Sequence, residues 1–225
     1  MHCAAETREG SVTRAPDEET VETEGHTIGW ARWYDAFVHV ATLGRARKIR
    51  EKTISLAGVG SGEDVLDVGC GTGDLTMLAR KRSGSAGRIT GIDPSSEMIR
   101  VARNKATRKS LEIEYLVVAA EALPFDDSTF DLVLSSFMMH HLPEALRSEM
   151  LAEARRVLRP GGRLLVVDIK RSERNQIHFT PLSFLHRRMH RGAQDLSPLL
   201  EAAGFQSVEA GDLGFGPVGF VRGSV

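Results

Sequence analysis

Ten residues, Val65-Leu66-Asp67-Val68-Gly69-Cys70-Gly71-Thr72-Gly73-Asp74, most constrain how this chain folds: an apolar strand breaks into a glycine turn, and the turn opens a helix. Glycines at 69, 71 and 73 remove Cβ atoms where the backbone must turn sharply and approach a ligand, and the N–H groups at the start of the next helix face that ligand. The pattern implies a nucleotide-like cofactor. The dinucleotide fingerprint G-x-G-x-x-G would need its third glycine at 74, where this chain has Asp74. Asp67, at the mouth of the strand, would repel a pyrophosphate but suits a ligand that carries positive charge. Both acids count against NAD and FAD.

Asp67-Val68-Gly69-Cys70-Gly71-Thr72-Gly73 resembles motif I of the class I S-adenosylmethionine (SAM)-dependent methyltransferases. Three later segments agree. Gly91-Ile92-Asp93-Pro94-Ser95 resembles the acidic end of the second strand, Ala120-Glu121-Ala122-Leu123-Pro124-Phe125 the adenine loop, and Leu158-Arg159-Pro160-Gly161-Gly162-Arg163 the turn before the fifth strand. Four motifs in order are far more specific than one glycine turn. The set is similar to the small-molecule branch (methyltransferase type 11) that includes the ubiquinone and menaquinone C-methyltransferases, over about residues 29 to 222.

Composition bounds the partners. A chain of 225 residues with 41% hydrophobic and 26% charged content can bury one large core, and a net charge of -1 leaves no footprint for duplex nucleic acid. Residues 1–27 read as a disordered acidic tail, since Glu6, Glu9, Asp17, Glu18, Glu19, Glu22 and Glu24 face only Arg8 and Arg14, with few bulky apolar side chains. Two cysteines, Cys3 and Cys70, make neither a disulfide framework nor a metal cluster. No apolar run is long enough to span a membrane, and no basic leader precedes an apolar stretch. A cytoplasmic enzyme is the expectation. Family members that act on arsenic hold it with several cysteines, which this chain lacks.

Residues 28–225 read as one domain. Apolar positions at helical spacing over 28–57 (Trp30, Trp33, Tyr34, Phe37, Val38, Ala41, Ile49, Ile54, Leu56), broken near Gly44, suggest two lid helices. Strands are expected at 64–68, 88–93, 113–118, 130–135 and 163–168, with helices at 74–82, 95–107 and 143–158 between them. Such βαβ units imply a parallel sheet with helices on both faces. Residues 196–203 read as a helix, and 206–211 and 216–222 as a strand pair around a glycine-rich turn. The family fold implied is α/β: a Rossmann-like seven-stranded, mostly parallel sheet ending in an antiparallel pair. The stretch 170–195, basic and histidine-rich with Phe179, Leu182, Phe184, Leu185 and Met189 interleaved, reads as a pocket-covering insertion. Its part 170–191 is either a basic amphipathic face for anionic lipid or an ordinary solvated helix.

The resemblance assigns the cofactor contacts. Asp93, 20 residues beyond Gly73, would accept from both ribose hydroxyls, although Asp before Pro94 is also a good helix-opening pair. Asp67 would face the methionine ammonium, Ser135 would offer it a backbone carbonyl, Met98 would lie on the adenine or ribose face or in the core, and Tyr34 would close over the cofactor. Tyr34-Asp35 resembles a lid-helix pair of the quinone-type branch, with His39 one turn later. Family members often carry Asp before the Ala-Glu pair to take the adenine amino group; here that residue is Ala119, leaving Ala120 and Glu121 to meet the ring edge.

At the end of the fourth strand, His140 and His141 are candidate bases, or hydrogen-bonded helix-entry residues. A metal site is not expected there. The run Ser135-Ser136-Phe137-Met138 replaces the Asn/Asp-Pro-Pro-Tyr/Phe run of enzymes that methylate base amines, and the loop after this strand has no glutamate before Glu144, unlike the two-glutamate loop of protein arginine enzymes. A small amphipathic or aromatic, lipid-like acceptor remains, with Trp30, Trp33, Tyr34, Phe37, Met138 and Met139 available to line its pocket. In-line transfer needs alignment and exclusion of water more than bond chemistry from the protein. A noncatalytic SAM or S-adenosylhomocysteine binding protein is the alternative, and a nicotinamide oxidoreductase a distant third.

Overall fold

A computed structural model of the chain describes residues 44–170 and 196–225, together with Thr20, Val21, Thr23, Val38, Val40 and Thr42. The expectations for most of the acidic tail, for Tyr34, Asp35, His39, Trp30, Trp33 and Phe37, and for the insertion between 171 and 195 lie outside the described residues.

Seven strands form one sheet in the order β3-β2-β1-β4-β5-β7-β6. β1 (Val65–Val68), β2 (Ile89–Asp93), β3 (Glu114–Val117), β4 (Phe130–Ser136) and β5 (Leu158–Ile169) run parallel; β7 (Val218–Ser224) enters antiparallel between β5 and β6 (Gln206–Phe215). The chain runs outward to β3, then returns past β1 to β4. That reversal leaves a crevice at the carboxyl ends of β1 and β4.

Both faces of the sheet are covered, so β1 is buried along its whole length. One face carries α1 (Ala46–Ala57) and α2 (Asp74–Ser83): Ile49, Ile54, Leu75 and Ala79 pack with Val65, Ile89, Leu132, Leu134 and Phe220. The other carries α4 (Glu144–Val157) and α5 (Ser197–Ala202), where Leu146, Met150, Leu151 and Leu200 meet Leu66, Val68, Val133 and Val166. α3 (Ser96–Arg108) buries Ile99, Ala102 and Ala106 on Tyr115. Of the two helices expected over 28–57, the second is α1, and Gly44 (φ +76°) marks the break before it. Its apolar side belongs to the core.

Two boundaries differ from the sequence expectation. β5 begins at Leu158 because the Pro-Gly-Gly turn is laced to the end of the chain: Gly161 N–H donates to Val225 O (3.0 Å) and Val225 N–H to Gly162 O (2.9 Å). The terminal hairpin is also longer, β6 reaching Phe215 and β7 reaching Ser224.

Candidate active site

The first wall of the crevice is the glycine turn. Gly69, Gly71 and Gly73 all have positive φ (71°, 53° and 78°), which an L side chain would resist. A Cβ on Gly69 would collide with Met138 from the loop after β4, and one on Gly73 with the Tyr115 ring and Ala102. These two glycines therefore serve close packing of protein on protein. The backbone of the turn is spoken for as well: Gly69 and Cys70 N–H groups both donate to Ile92 O at 2.9 Å, and Gly71 N–H donates to Asp93 Oδ2 at 3.0 Å. Cys70 is turned toward Gly91 and Tyr115, and burial with the nearby charges of Asp93 and Asp67 pushes its thiol up. It stays protonated and inert.

Two carboxylates floor the crevice. Asp67 is 1% exposed, with Oδ2 accepting from Thr76 Oγ1 at 2.6 Å. Burial, then the charge of Asp93, raises its carboxyl to about 6 against the pull of the Thr76 bond. Asp93, half-buried at the end of β2, accepts from Ser95 N–H at 2.9 Å besides Gly71, and burial raises its carboxyl too. The helix cap itself is Ser95, whose Oγ accepts from Met98 N–H at 3.4 Å. Asp93 thus ties the glycine turn to the helix entry. Pro94 is half-buried at this corner, and Met98 is 3% exposed against the core.

The loop after β3 completes this side. Ala119 and Ala120 are buried, and Val118 N–H donates to Asp93 O at 3.2 Å. Glu121 Oε1 accepts from Thr23 Oγ1 at 2.6 Å. Leu123 N–H donates to Glu153 Oε2 (2.9 Å), and Arg156 donates to Leu123 O (3.0 Å) and Phe125 O (2.7 Å), pinning the loop to α4. Sequence reading gave no signal for this clamp.

Across the crevice, β4 ends at Ser136 and turns through Phe137, a non-glycine residue at φ +56° whose N–H still bonds Val167 O at 2.8 Å. Such strain, on the order of 1 kcal/mol, persists where the surroundings over-determine it. It brings Met138 over Gly69 and starts a single helical turn, Met139–His141. Met139 is 1% exposed and packs in the core. His140 meets Asp168, the buried penultimate residue of β5: Nδ1 lies 2.6 Å from Oδ1, the His140 N–H donates to Oδ2 at 3.0 Å, and Ile169 N–H donates to Oδ1 at 2.7 Å. Asp168 accepts from two backbone N–H groups and, as an acceptor-only carboxylate, takes Nδ1 as its donor, which leaves Nε2 as the ring nitrogen able to accept. The His141 ring lies against that of His140, centroids 4.0 Å apart and planes tilted by 41°. Asp168 was missed in the sequence; its signal was an acid closing the apolar run Leu164-Leu165-Val166-Val167 at a strand's carboxyl end.

Among the described residues, two buried side-chain atoms lack a hydrogen-bond partner, Glu121 Oε2 and Ser135 Oγ, and both lie on this rim. With raised carboxyls at Asp67 and Asp93, the rim is short of donors and of positive charge. A ligand carrying an ammonium, a sulfonium and an amino-purine supplies both, so the residues fit SAM.

Comparison with known proteins agrees. A methyltransferase-domain family matches residues 65–162. The ubiquinone/menaquinone biosynthesis C-methyltransferase UbiE of Idiomarina loihiensis is 30% identical over 215 residues, covering 84% of this chain and 85% of that protein. The chain belongs to the class I SAM-dependent methyltransferases. A SAM-dependent methyltransferase from Aquifex aeolicus superposes on it with a TM-score of 0.66 at 27% identity, over 78% of this chain and 89% of that one. An arsenic(III) methyltransferase from Chlamydomonas reinhardtii does so with a TM-score of 0.57 at 26% identity, over 75% and 64%. SAM is the methyl donor of this methyltransferase. No group of three or more metal-ligand side chains occurs among its described residues, and none of its described helices is long and apolar enough to cross a membrane.

Proposed function

We propose that this methyltransferase passes the methyl group of SAM to a small amphipathic acceptor of the hydroquinone class, with His140 taking the acceptor's proton. The observation that carries the reading is the His140–Asp168 pair at the carboxyl ends of β4 and β5, with Nε2 left as a free acceptor. The names of the UbiE relatives point the same way, to C-methylation of a quinone precursor.

When bound, SAM supplies a methyl carbon already activated by its positive sulfur and open to in-line attack from the opposite side. Asp93 would hold the ribose hydroxyls, Asp67 and the Ser135 carbonyl the methionine ammonium, and Gly69, Gly71, Pro94, Met98 and Ala120 the cradle around them, with Gly73 and Cys70 shaping the turn from behind. Tyr34 is expected to close over this side. A hydroquinone ring carbon becomes a strong nucleophile only as its phenolic proton leaves; His140 Nε2 would accept that proton while Asp168 steadies the imidazolium, and the hydrogen on the methylated carbon would then pass to the phenolic oxygen, restoring the aromatic ring. His141, tilted against it, backs the ring. Segments 28–43 and 171–195 would cover the acceptor and exclude water; the second leaves the sheet at Lys170, two residues after Asp168. An arsenic acceptor is disfavoured, since the chain has only Cys3 and Cys70 and the latter is half-buried with its thiol pushed up.

The test is transfer of labelled methyl from SAM to a short-chain prenylated hydroquinone in detergent, beside the oxidised quinone and a primary amine. Label in the hydroquinone alone is expected. Label in the amine alone overturns the acceptor class, and tight S-adenosylhomocysteine binding with no transfer to any of them makes the chain a binding protein.

A further inference from the structure

Across β4, β5, β7 and β6 the carboxyl-end rim of the sheet is polar on one face and apolar on the other. On the face that holds Asp168, Lys170 follows two residues on and runs its stem over Gly219, where a Cβ would lie 2.6 Å from Lys170 Cγ. Its Nζ pairs with Asp212 on β6, and Asp212 also accepts from Gly214 N–H at 2.6 Å. That face is closed by its own charges. On the opposite face the same strand ends carry a row of apolar side chains. Ile169 pairs in register with Val218, and Val218 with Phe215, the last residue of β6. Phe137, whose N–H bonds Val167 O, stands at the β4 end of the row. Val218 is 6% exposed, whereas Phe137, Ile169 and Phe215 stay half-buried, the two phenylalanines packed against the core that α1 covers.

The row is continuous with the reacting end of the crevice. Phe137 lies three residues before His140, and Ile169 adjoins Asp168, so the rim passes from polar to apolar within one residue. At the far end, Phe215 stands between Gly214 (φ +87°) and Gly216 (φ +60°), and the ladder shifts between Asp212 and Phe215 to seat the ring opposite Val218. Four neighbouring strands span about 14 Å, the length of an extended apolar tail of about three isoprenoid units.

We propose that this row is a subsite for the apolar tail of the acceptor, laid from Phe137 across Ile169 and Val218 to Phe215, and that Phe215 sets the tail length the enzyme rewards. The inference rests on the hydroquinone reading above. An amphipathic acceptor matches the division of the rim: its hydroxyl meets His140 where the rim is polar, and its hydrocarbon leaves along the side that offers no polar side chain.

The experiment is methylation by the full chain, with labelled SAM in one fixed detergent, of hydroquinones whose tails lengthen by one isoprenoid unit at a time from none. For the unaltered protein kcat/KM should rise roughly 3- to 10-fold with each of about the first three units, through KM rather than kcat, and then level off. Phe215→Ser should leave the tailless compound unchanged and bring the plateau one unit sooner. Phe215→Leu, which keeps an apolar surface there, should retain the longer rise. Equal kcat/KM along the series overturns the subsite and spares the hydroquinone reading. So does a Phe215→Ser variant that loses the same factor at every tail length, the result expected if residues 28–43 of the chain fill the row instead. No transfer to any member, the tailless compound included, overturns the hydroquinone reading and the subsite with it.

Discussion

The two ends of one sheet treat charge in opposite ways. At the amino ends of the strands every named carboxylate has an arginine: Arg159 bonds Asp64 at 2.8 Å and Asp131 at 2.7 Å, and Arg163 bonds Glu63 at 2.8 Å. The Arg163 hydrogen bond holds Glu63 below its ordinary range, and Asp64 is lowered despite burial by its bond to Arg159. At the carboxyl ends Asp67 and Asp93 carry raised carboxyls, and the nearest cation acting on Asp67, Arg50, is engaged by Asp74 at 3.2 Å. Paired charges finish a structure; unpaired ones await a ligand. The lesson is that function lies where the fold has left its electrostatics incomplete.

The sharpest test of that asymmetry is on the rim. Asp168→Asn, which takes the negative charge from beside the His140 ring and puts a donor NH₂ in place of one of the two acceptor oxygens, and His140→Gln should each lower kcat by about 10²- to 10⁴-fold while leaving the dissociation constant of SAM within a few-fold. Next in size, Asp93→Ala should weaken SAM by roughly 100-fold or more through two lost charge-assisted bonds. Asp93→Asn, which still accepts from Gly71 or Ser95, should keep the fold and lose less. If Asp93→Ala binds SAM normally, the ribose is held elsewhere.

Much of this rim was legible before any coordinates. The strand, glycine turn and helix over 65–83 form a local pattern, and the 20-residue interval from Gly73 to Asp93 is one βαβ unit. What escaped depends on partners far along the chain. Asp168 meets His140 across 28 residues, and Thr23 meets Glu121 across 98 residues from within a tail read as solvated acid. The early start of β5 likewise needs Val225, just past the neighbouring strand β7 but far along the chain, to satisfy the Pro-Gly-Gly turn. Gly73 was legible as a glycine but not for its reason, which is the Tyr115 ring that fills its missing Cβ.

Asp67 gives an intermediate effect with a definite sign. Its carboxyl is raised from 3.8 to about 6 in the folded chain, so between those values the native state keeps a proton that the unfolded state has released. Stability should therefore fall as pH rises from about 4 through 6, with a deficit on the order of 3 kcal/mol above that. Asp67→Asn, still able to accept from Thr76, should recover most of it, read as a higher denaturation midpoint at pH 8. The same variant should lose SAM affinity. In the unaltered protein SAM should weaken about tenfold per unit as pH drops below 6, because the ammonium must displace that proton, and in the variant the slope should vanish. A slope retained without Asp67 would assign the titration to another group.

The smallest effect belongs to the opposite end. Arg159 is 39% exposed and joins Asp64, just before β1, to Asp131 on β4, so Arg159→Met should cost about 1 kcal/mol, since solvent screens the pair while the aliphatic stem is replaced. The lowered carboxyl of Asp64 contributes stability above its unfolded value and loses it as pH falls through its folded one, so the variant's stability curve should be flatter on the acid side of pH 4. SAM affinity and turnover should not change, because β1 and β4 stay buried on both faces between the two ends. An Arg159→Met chain that loses SAM affinity would show that charge at the amino ends reaches the rim, and the division of labour along the sheet would have to be abandoned.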